Sequence, residues 1–525
     1  MMNCCNRGVK IQMPVSHFAQ ETARCRAAQQ HWAARSLRER LSSIRELRYL
    51  LVEQADRLTV AVEQDVGRPA AEVVATDLLP TAAAAKFLLQ DAKTWLKPRR
   101  VGGHPLWLWD CCDTVHYRPH GIVGMIGTWN YPVFLNLVPL MHAVTAGNGV
   151  LWKPSECTPR TAAVVTELLR QAGFPPELIV TLPTTREAGP QLADADIDFL
   201  HFTGSEPVGR KLAARLGERL IPSVLELSGV DALFVTADAD LRLAAEAAWF
   251  GMTLNHGQTC MATRRVFLDQ AIAPAFLAEL HPLIANSEAA SLVLPAQAQQ
   301  AEQILADARA RGGTVLTRQA TAAAGLFPSV VLDATPDMAI CQEAVFAPIM
   351  AVITYKSLDE AIAWHELCPF GLAAAIFTRS PSIAQQMAAK LRVGTVVVND
   401  VIVPTAHPGT PFGGRRASGW GVTQGGEGLR AMTVPQVISI RSGTFRPHVQ
   451  AALTHDERIH AITRQTLVFG HARTWRARLR GLGHLLRGVL RMSTTESRSS
   501  EPAPVPRPSE FEAARSFADH SAPPR

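Results

Sequence analysis

Long apolar runs are missing from this 525-residue chain. None reaches the roughly 20 residues that a membrane-spanning helix needs. The first twenty residues, Met1 to Gln20, also lack the apolar segment of a secretory leader. They read as an exposed leader, with Cys4 and Cys5 as candidates for acylation. Met13 is a second candidate start, because helical patterning begins only after Pro14. Ordered cysteine spacing is missing as well. The nine cysteines lie at 4, 5, 25, 111, 112, 157, 260, 341 and 368. No pair of them has the spacing of a zinc ribbon, and an odd, scattered set is a poor disulfide framework. That reading expects no metal site and a reducing, cytoplasmic compartment. Acidic residues are absent between Glu457 and Glu496, where arginines abound. The net charge of +6 therefore describes the tail more than the body, and gives the body no reason to bind nucleic acid.

What is present is an ordinary globular composition, 47% hydrophobic and 19% charged. A chain of this length holds two or more domains with substantial cores. From Ser16 to Leu96 the pattern predicts helix, with Leu41, Ile44, Leu47 and Leu51 at helical spacing. Pro98 ends that region, and Leu106–Tyr117 is aromatic and β-like, a candidate protruding hairpin. Short apolar runs then alternate with helical stretches such as Thr161–Ala172: Gly121–Ile126, Val150–Trp152, Leu178–Leu182 and Phe199–Phe202. A second series follows: Ala232–Val235, Arg265–Leu268, Ser329–Leu332, Ala351–Thr354, Ala374–Phe377 and Gly394–Asn399. Such alternation predicts α/β architecture with parallel sheets. No short-period repeat occurs.

Past Arg441 the character changes. From Arg473 to Met492 the pattern is a basic amphipathic helix. Trp475, Leu479, Leu482, Leu486 and Val489 share one face, and Arg473, Arg476, Arg480, Arg487 and Arg491 share another. That combination suits an anionic membrane surface. The rival readings are docking on the protein's own surface or no fold in isolation, since Gly481, Gly483 and Gly488 each weaken a helix by about 1 kcal/mol. Beyond Ser493, serine, proline, glutamate and arginine dominate, and disorder is expected.

The chemistry concentrates in Asn255-His256-Gly257-Gln258-Thr259-Cys260, with Glu226 standing 34 residues earlier in Leu225-Glu226-Leu227-Ser228-Gly229. A cysteine in a glycine-flanked segment with an offset carboxylate has the makings of covalent catalysis. The thiolate attacks, and the carboxylate later activates water. Cysteine is also a common buried filler, and that is the expectation for Cys111, Cys112, Cys157, Cys341 and Cys368. Gly127-Thr128-Trp129-Asn130-Tyr131-Pro132 follows an apolar strand, and its amide could donate to an oxyanion. Gly147-Asn148-Gly149-Val150-Leu151-Trp152-Lys153-Pro154-Ser155-Glu156 puts Lys153 and Glu156 at a strand's carboxyl end, where α/β sheets bind ligands. Phe202-Thr203-Gly204-Ser205-Glu206-Pro207-Val208-Gly209 runs from strand to helix, where free N–H groups favour phosphate. It matches neither the Gly-x-Gly-x-x-Gly nor the triphosphate-loop pattern.

In this order, and with Gln342-Glu343-Ala344-Val345-Phe346-Ala347-Pro348, Phe370-Gly371-Leu372-Ala373-Ala374 and Pro411-Phe412-Gly413-Gly414-Arg415-Arg416-Ala417-Ser418-Gly419, the chain resembles the aldehyde dehydrogenase superfamily over residues 15 to 440. The resemblance implies an NAD(P)-dependent, hydrolytic oxidation of a small-molecule aldehyde to a carboxylate. It implies Cys260 as the nucleophile that forms a thiohemiacetal and then a thioester. Asn130 and the Cys260 N–H would hold the oxyanion, and Glu226 would activate the hydrolytic water. Cofactor contacts would come from Lys153, Glu156, Gly204, Ser205, Gly209, Trp129, Glu343 and Phe346. NAD is preferred over NADP because the Glu156 carboxylate would repel a 2′-phosphate. The implied fold is a Rossmann-like cofactor domain (15–105 and 119–229), an α/β catalytic domain (230–415) and a small β oligomerisation element (106–118 and 416–445). A basic helical tail (446–492) and a disordered end (493–525) follow. A homodimer or homotetramer is expected, formed by a strand near Val434–Ile440. The pattern departs from the family at Ala344, where a second acid usually binds the nicotinamide ribose, at Ala347, and at Ser228, the last two replacing glycine. A CoA-acylating member, which usually lacks the equivalent of Glu226, and a non-catalytic protein on the same fold are the competing readings.

Overall fold

The structure is a computed structural model, and it describes residues 17–105, 108, 110–318, 326–442 and 457–496. The chain divides into two compact units: Met1–Pro98 with His116–Gln436, and Arg99–Val115 with Val437–Arg525.

The first unit begins with the helices Ala19–Ala34, Leu37–Glu53, Ala55–Val66, Ala70–Val73 and Leu79–Leu96, with a π-turn at Val74–Leu78. Ser36 caps the second helix through a reciprocal capping box with Glu39. Leu47 and Leu51, predicted to face inward, are buried. Trp32 packs in the same core and donates from its indole to the Val144 carbonyl at 2.7 Å.

Two sheets follow. The first has the order Gly419–Trp420, Ser223–Leu227, Phe199–Gly204, Ile122–Ile126, Gly149–Lys153, Ile179–Thr181. Only the Gly419–Trp420 edge is antiparallel. The central strands Ile122–Ile126 and Gly149–Lys153 are buried along their whole length, as expected where both faces of a parallel sheet are covered. The chain builds outward from Ile122–Ile126 to one side, then returns to add Phe199–Gly204 on the other. A crevice therefore opens between those two strands at their carboxyl ends, the usual ligand position in such sheets.

The second sheet has the order Thr314–Thr317, Ser329–Leu332, Ile349–Tyr355, Thr263–Asp269, Asp231–Val235, Ala373–Phe377, Thr395–Val398. It too is parallel except at one edge, where Thr314–Thr317 runs antiparallel. All six strands predicted for this region are present. The missed edge strand is short and half polar, so alternation gave it no signal.

A third sheet has the order Arg99–Val101, Cys111–Pro119, Thr433–Arg441. The hairpin thus pairs Arg99 with Val115, and does not lie within Leu106–Tyr117 as expected. Gly419–Trp420, expected in the oligomerisation element, instead pairs with the strand that carries Glu226. In the second unit, the tail forms two helices, Glu457–His471 and Trp475–Glu496. The second runs through Ser493 to Glu496, where disorder was expected. Gly481 and Gly488, expected to weaken it, are where the first helix packs. A Cβ at Gly481 would stand 2.9 Å from the Phe469 nitrogen, and one at Gly488 would stand 3.0 Å from Ile462. Leu485 is buried between the two helices' neighbourhoods, Leu482 is half-buried, and the side chain of Val489 lies outside those described. Trp475, Leu479, Leu486 and Leu490 remain exposed in one stripe within about 60° of arc. Among the described residues, no helix is long and apolar enough to cross a membrane. Cys4, Cys5 and residues 497–525 lie outside the described residues.

Candidate active site

The Leu241–Thr253 helix ends in a turn that only an unusual backbone can make. Asn255, His256 and Gly257 have φ of 51°, 54° and 73°, three left-handed residues in a row. Gly257 has no alternative there, because a Cβ would lie 2.5 Å from the Ala347 carbonyl carbon. The turn delivers Cys260, half-buried, to the edge of the buried Glu226. Its Sγ lies 3.8 Å from Glu226 Oε1. The Gly229 N–H donates to the Cys260 carbonyl at 3.0 Å, which ties the turn to the loop that follows Glu226.

Glu226 projects from the Ser223–Leu227 strand while its neighbours Leu225 and Leu227 enter the apolar core on the other face. Burial pushes its carboxyl up to about 7, against hydrogen bonds from Thr203, whose hydroxyl stands 3.5 Å from Oε2, and from Cys260. The Cys260 thiol is held well above its usual range by burial first, then by the Glu226 and Asp231 carboxylates. Asn130 is buried on the opposite side of the turn. Its Nδ2 donates to the Gln258 carbonyl at 3.1 Å, and its Oδ1 accepts from the Thr128 hydroxyl at 2.9 Å. The amide keeps a second N–H for another acceptor. The structure therefore brings Cys260, Glu226 and Asn130 into one place.

Sequence reasoning missed the groups that hold this place. Arg68 is buried against Asp77 and Tyr131, and donates to the Asn130 carbonyl at 3.1 Å. Asp77 accepts from the Val133 and Phe134 N–H groups at 3.0 and 2.8 Å. The Tyr131 hydroxyl meets Thr259, beside Cys260, at 2.6 Å. Asp231 is also buried, with its carboxyl pushed up to about 8 by burial. A charged residue inside a helical or apolar pattern reads as a surface residue, so the sequence carried no signal for any of these.

The cofactor candidates form separate groups. Lys153 is buried at its strand end, and its Nζ lies 2.9 Å from Glu156 Oε2. Arg186 holds the other Glu156 oxygen at 2.9 Å. Burial works against the Glu156 charge, yet the hydrogen bonds from Lys153 and Arg186 keep its carboxyl below the usual range. The Glu206–Glu218 helix starts after Ser205 with no side-chain cap, so its first N–H groups face outward beside the crevice. Gly209 lets this helix lie against the Glu226 strand, since a Cβ would come 2.5 Å from Leu227. Gly204 ends the strand before it. Trp129 and Phe346 meet edge to face at 5.7 Å, which places the 342–348 motif next to Asn130. Glu343 is exposed and makes no side-chain hydrogen bond among the described residues. An uncapped helix end at the sheet's switch point, with a Lys–Glu pair one strand away, fits a dinucleotide. Of the other cysteines expected to be buried filler, Cys341 and Cys368 are buried. Cys111 and Cys157 are half-buried and Cys112 is exposed, because they lie at the start of a strand and in a loop.

A single family profile spans both sheets and the site between their motifs. The profile described as the aldehyde dehydrogenase family matches residues 14–438. The chain belongs to the aldehyde dehydrogenase family. It is 30% identical over 438 residues to 4,4'-diapolycopene aldehyde oxidase of a Methylomonas species, covering 80% of this chain and 82% of that protein. Its structure is similar to an aldehyde dehydrogenase of Mycobacterium tuberculosis complexed with NAD+. The TM-score is 0.76 at 27% identity, over 81% of this chain and 90% of that one. It is similar also to an NAD-dependent aldehyde dehydrogenase of Sinorhizobium meliloti. There the TM-score is 0.74 at 27% identity, over 81% and 87% of the two chains. As a member, the enzyme is an NAD(P)-dependent aldehyde dehydrogenase that oxidises an aldehyde to a carboxylate through a cysteine thioester.

Proposed function

We propose that Cys260 is the nucleophile, Glu226 the base and Asn130 the oxyanion donor of this reaction. The observation that carries the assignment is the contact of Cys260 Sγ with Glu226 Oε1 at 3.8 Å inside a buried site. A thiol raised by burial is a poor nucleophile, so it needs a base at hand. Glu226, titrating near 7, can take that proton at physiological pH. The thiolate then attacks the aldehyde carbon, and the new oxyanion receives the second Nδ2 N–H of Asn130 and the Cys260 N–H. NAD(P)+, when bound, supplies the hydride acceptor for the step that leaves the thioester. Glu226 releases the first proton to solvent, then as the carboxylate takes one from water while the water oxygen bonds to the acyl carbon and the Cys260 thiolate departs. Presence of this carboxylate favours water over CoA as acceptor.

Lys153 and Glu156 are proposed to hold the adenosine ribose, with the Gly204–Gly209 segment taking the pyrophosphate. Trp129 and Phe346 would line the nicotinamide side, with Glu343 at its rim. NAD is favoured because Glu156 stays ionised between Lys153 and Arg186; the ratio of kcat/KM for NAD and NADP checks it. In domain terms, 15–105 with 119–229 would bind the cofactor and 230–415 would carry the nucleophile. A homo-oligomer formed through Thr433–Arg441, a cytoplasmic setting that keeps Cys260 reduced, and peripheral contact of the tail with anionic membrane complete the reading.

Aldehyde-dependent NAD(P)H formation at 340 nm tests the core of it. Cys260→Ala should abolish the signal. Glu226→Gln should slow acyl-enzyme formation and stall its hydrolysis, with steady turnover lowered about 10²- to 10⁴-fold. Unimpaired steady turnover of Glu226→Gln would refute the base assignment.

A further inference from the structure

The strand Thr263–Asp269, directly after the nucleophile, carries two consecutive arginines, both buried. Successive strand residues point to opposite faces. Arg265 turns toward the Val230 carbonyl at 2.9 Å and the His365 carbonyl at 3.3 Å. Arg264 turns the other way. Its guanidinium donates to the carbonyls of Gly257 and Ala347, and to that of Ile349 at 3.3 Å. Gly257 belongs to the left-handed turn that delivers Cys260, and Ala347 adjoins Phe346. One side chain thus bridges the nucleophile turn and the segment that meets Trp129.

A buried guanidinium is costly unless its donors are satisfied. Among the described residues no carboxylate forms an ion pair with Arg264; only the field of the buried Asp231 reaches it. Its stability in that position therefore depends on the backbone carbonyls of both segments together. The segments need such a tie. The turn has three positive-φ residues, and a Cβ at Gly257 would lie 2.5 Å from Ala347, so the two segments lie too close for any side chain between them. Besides the Trp129 ring contact, two side-chain hydrogen bonds to the 344–346 stretch come from the Pro295–Ala310 helix. Gln297 accepts from the Phe346 N–H at 2.7 Å, and Gln300 donates to the Ala344 carbonyl at 3.4 Å. Neither of these touches the nucleophile turn.

We propose that Arg264 is a positioning residue that locks the turn carrying Cys260 to the segment carrying Phe346, so that the two move as one body. The lock itself is a property of the protein without cofactor. Its value for catalysis rests on Cys260 being the nucleophile and Phe346 facing the cofactor, as proposed above.

The experiment uses the full chain and its Arg264→Met and Arg264→Lys variants. Hydrogen exchange is followed by mass spectrometry without cofactor, alongside the alkylation rate of Cys260 by iodoacetamide. In Arg264→Met, exchange should rise about tenfold in peptides covering 254–260 and 343–349 together, with the Pro159–Gln171 helix unchanged. The alkylation rate should depart from wild type, kcat should fall about 10- to 100-fold, and KM for aldehyde should stay within about threefold. Arg264→Lys, which keeps one donor group, should recover part of each change; if Arg264→Met does not fold, Arg264→Lys decides. Unchanged exchange in both segments, a rise confined to one of them, or a rise through the whole chain overturns the proposal. Cys260→Ala serves as the control: if it keeps turnover, the nucleophile assignment fails while the exchange data still decide the lock.

Discussion

Glu226 is a carboxyl whose environment sets both its chemistry and its cost. Burial raises it from 4.5 to about 7, so the folded protein holds a proton there that the unfolded chain has released between those values. The stability it lends is present at pH 4.5 and is lost as pH rises through about 7. Glu226→Gln removes that cost. The variant should therefore gain about 3 kcal/mol over wild type at pH 8, and the gain should shrink toward pH 4.5. Thermal unfolding across that range checks it, and an equal difference at both pH values sinks the idea. Turnover in the wild type should rise with pH through the same interval, because only the carboxylate can accept a proton. Cys260, Glu226 and Asn130, the proposed catalytic set, could be picked out by reading, since each sits in a recognisable motif. Arg68, Asp77 and Arg264 could not. They act by bonding backbone carbonyls and N–H groups of segments distant in sequence, and such partners leave no trace in residue spacing.

Elements were legible where period and length agreed. Buried parallel strands read as short apolar runs, and the helices of the first hundred residues, Pro159–Gln171 and the tail read through their spacing. The two-residue strand at Gly419–Trp420 and the half-polar Thr314–Thr317 were not, because pairing with a neighbour makes them strands. The tail shows the same limit. Its glycines counted against a helix, yet two of them permit the close approach of Glu457–His471 to Trp475–Glu496. That pairing leaves Trp475, Leu479, Leu486 and Leu490 exposed, beside Arg476, Arg480 and Arg487. An apolar stripe next to a basic one is complementary to anionic lipid. The full chain should sediment with phosphatidylserine vesicles far more than with neutral ones, and a Trp475→Glu, Leu479→Glu double variant should stay in the supernatant. Equal sedimentation of variant and wild type would dismiss the membrane contact.

For the molecule as a whole, the open question is the strand Thr433–Arg441. It lies at the edge of its sheet and exposes Val434, Val437, Ile438 and Ile440. An exposed apolar edge invites pairing with another chain. Light scattering should find a dimer or tetramer, and Val437→Lys with Ile440→Lys should shift it to monomer; a monomeric wild type would remove the oligomer from the reading. The sequence by itself determined the α/β class and the order of the strands along the chain, and pointed to Cys260 and Glu226 as the proposed nucleophile and base, because motif order and hydrophobic period are written in one dimension. Only the tertiary structure decided which segments meet: that Cys260 reaches Glu226 at 3.8 Å, that Gly419–Trp420 edges the Glu226 strand, and that Arg264 joins two distant loops. Those outcomes depend on burial and on backbone groups that every residue shares, so residue type alone could not specify them.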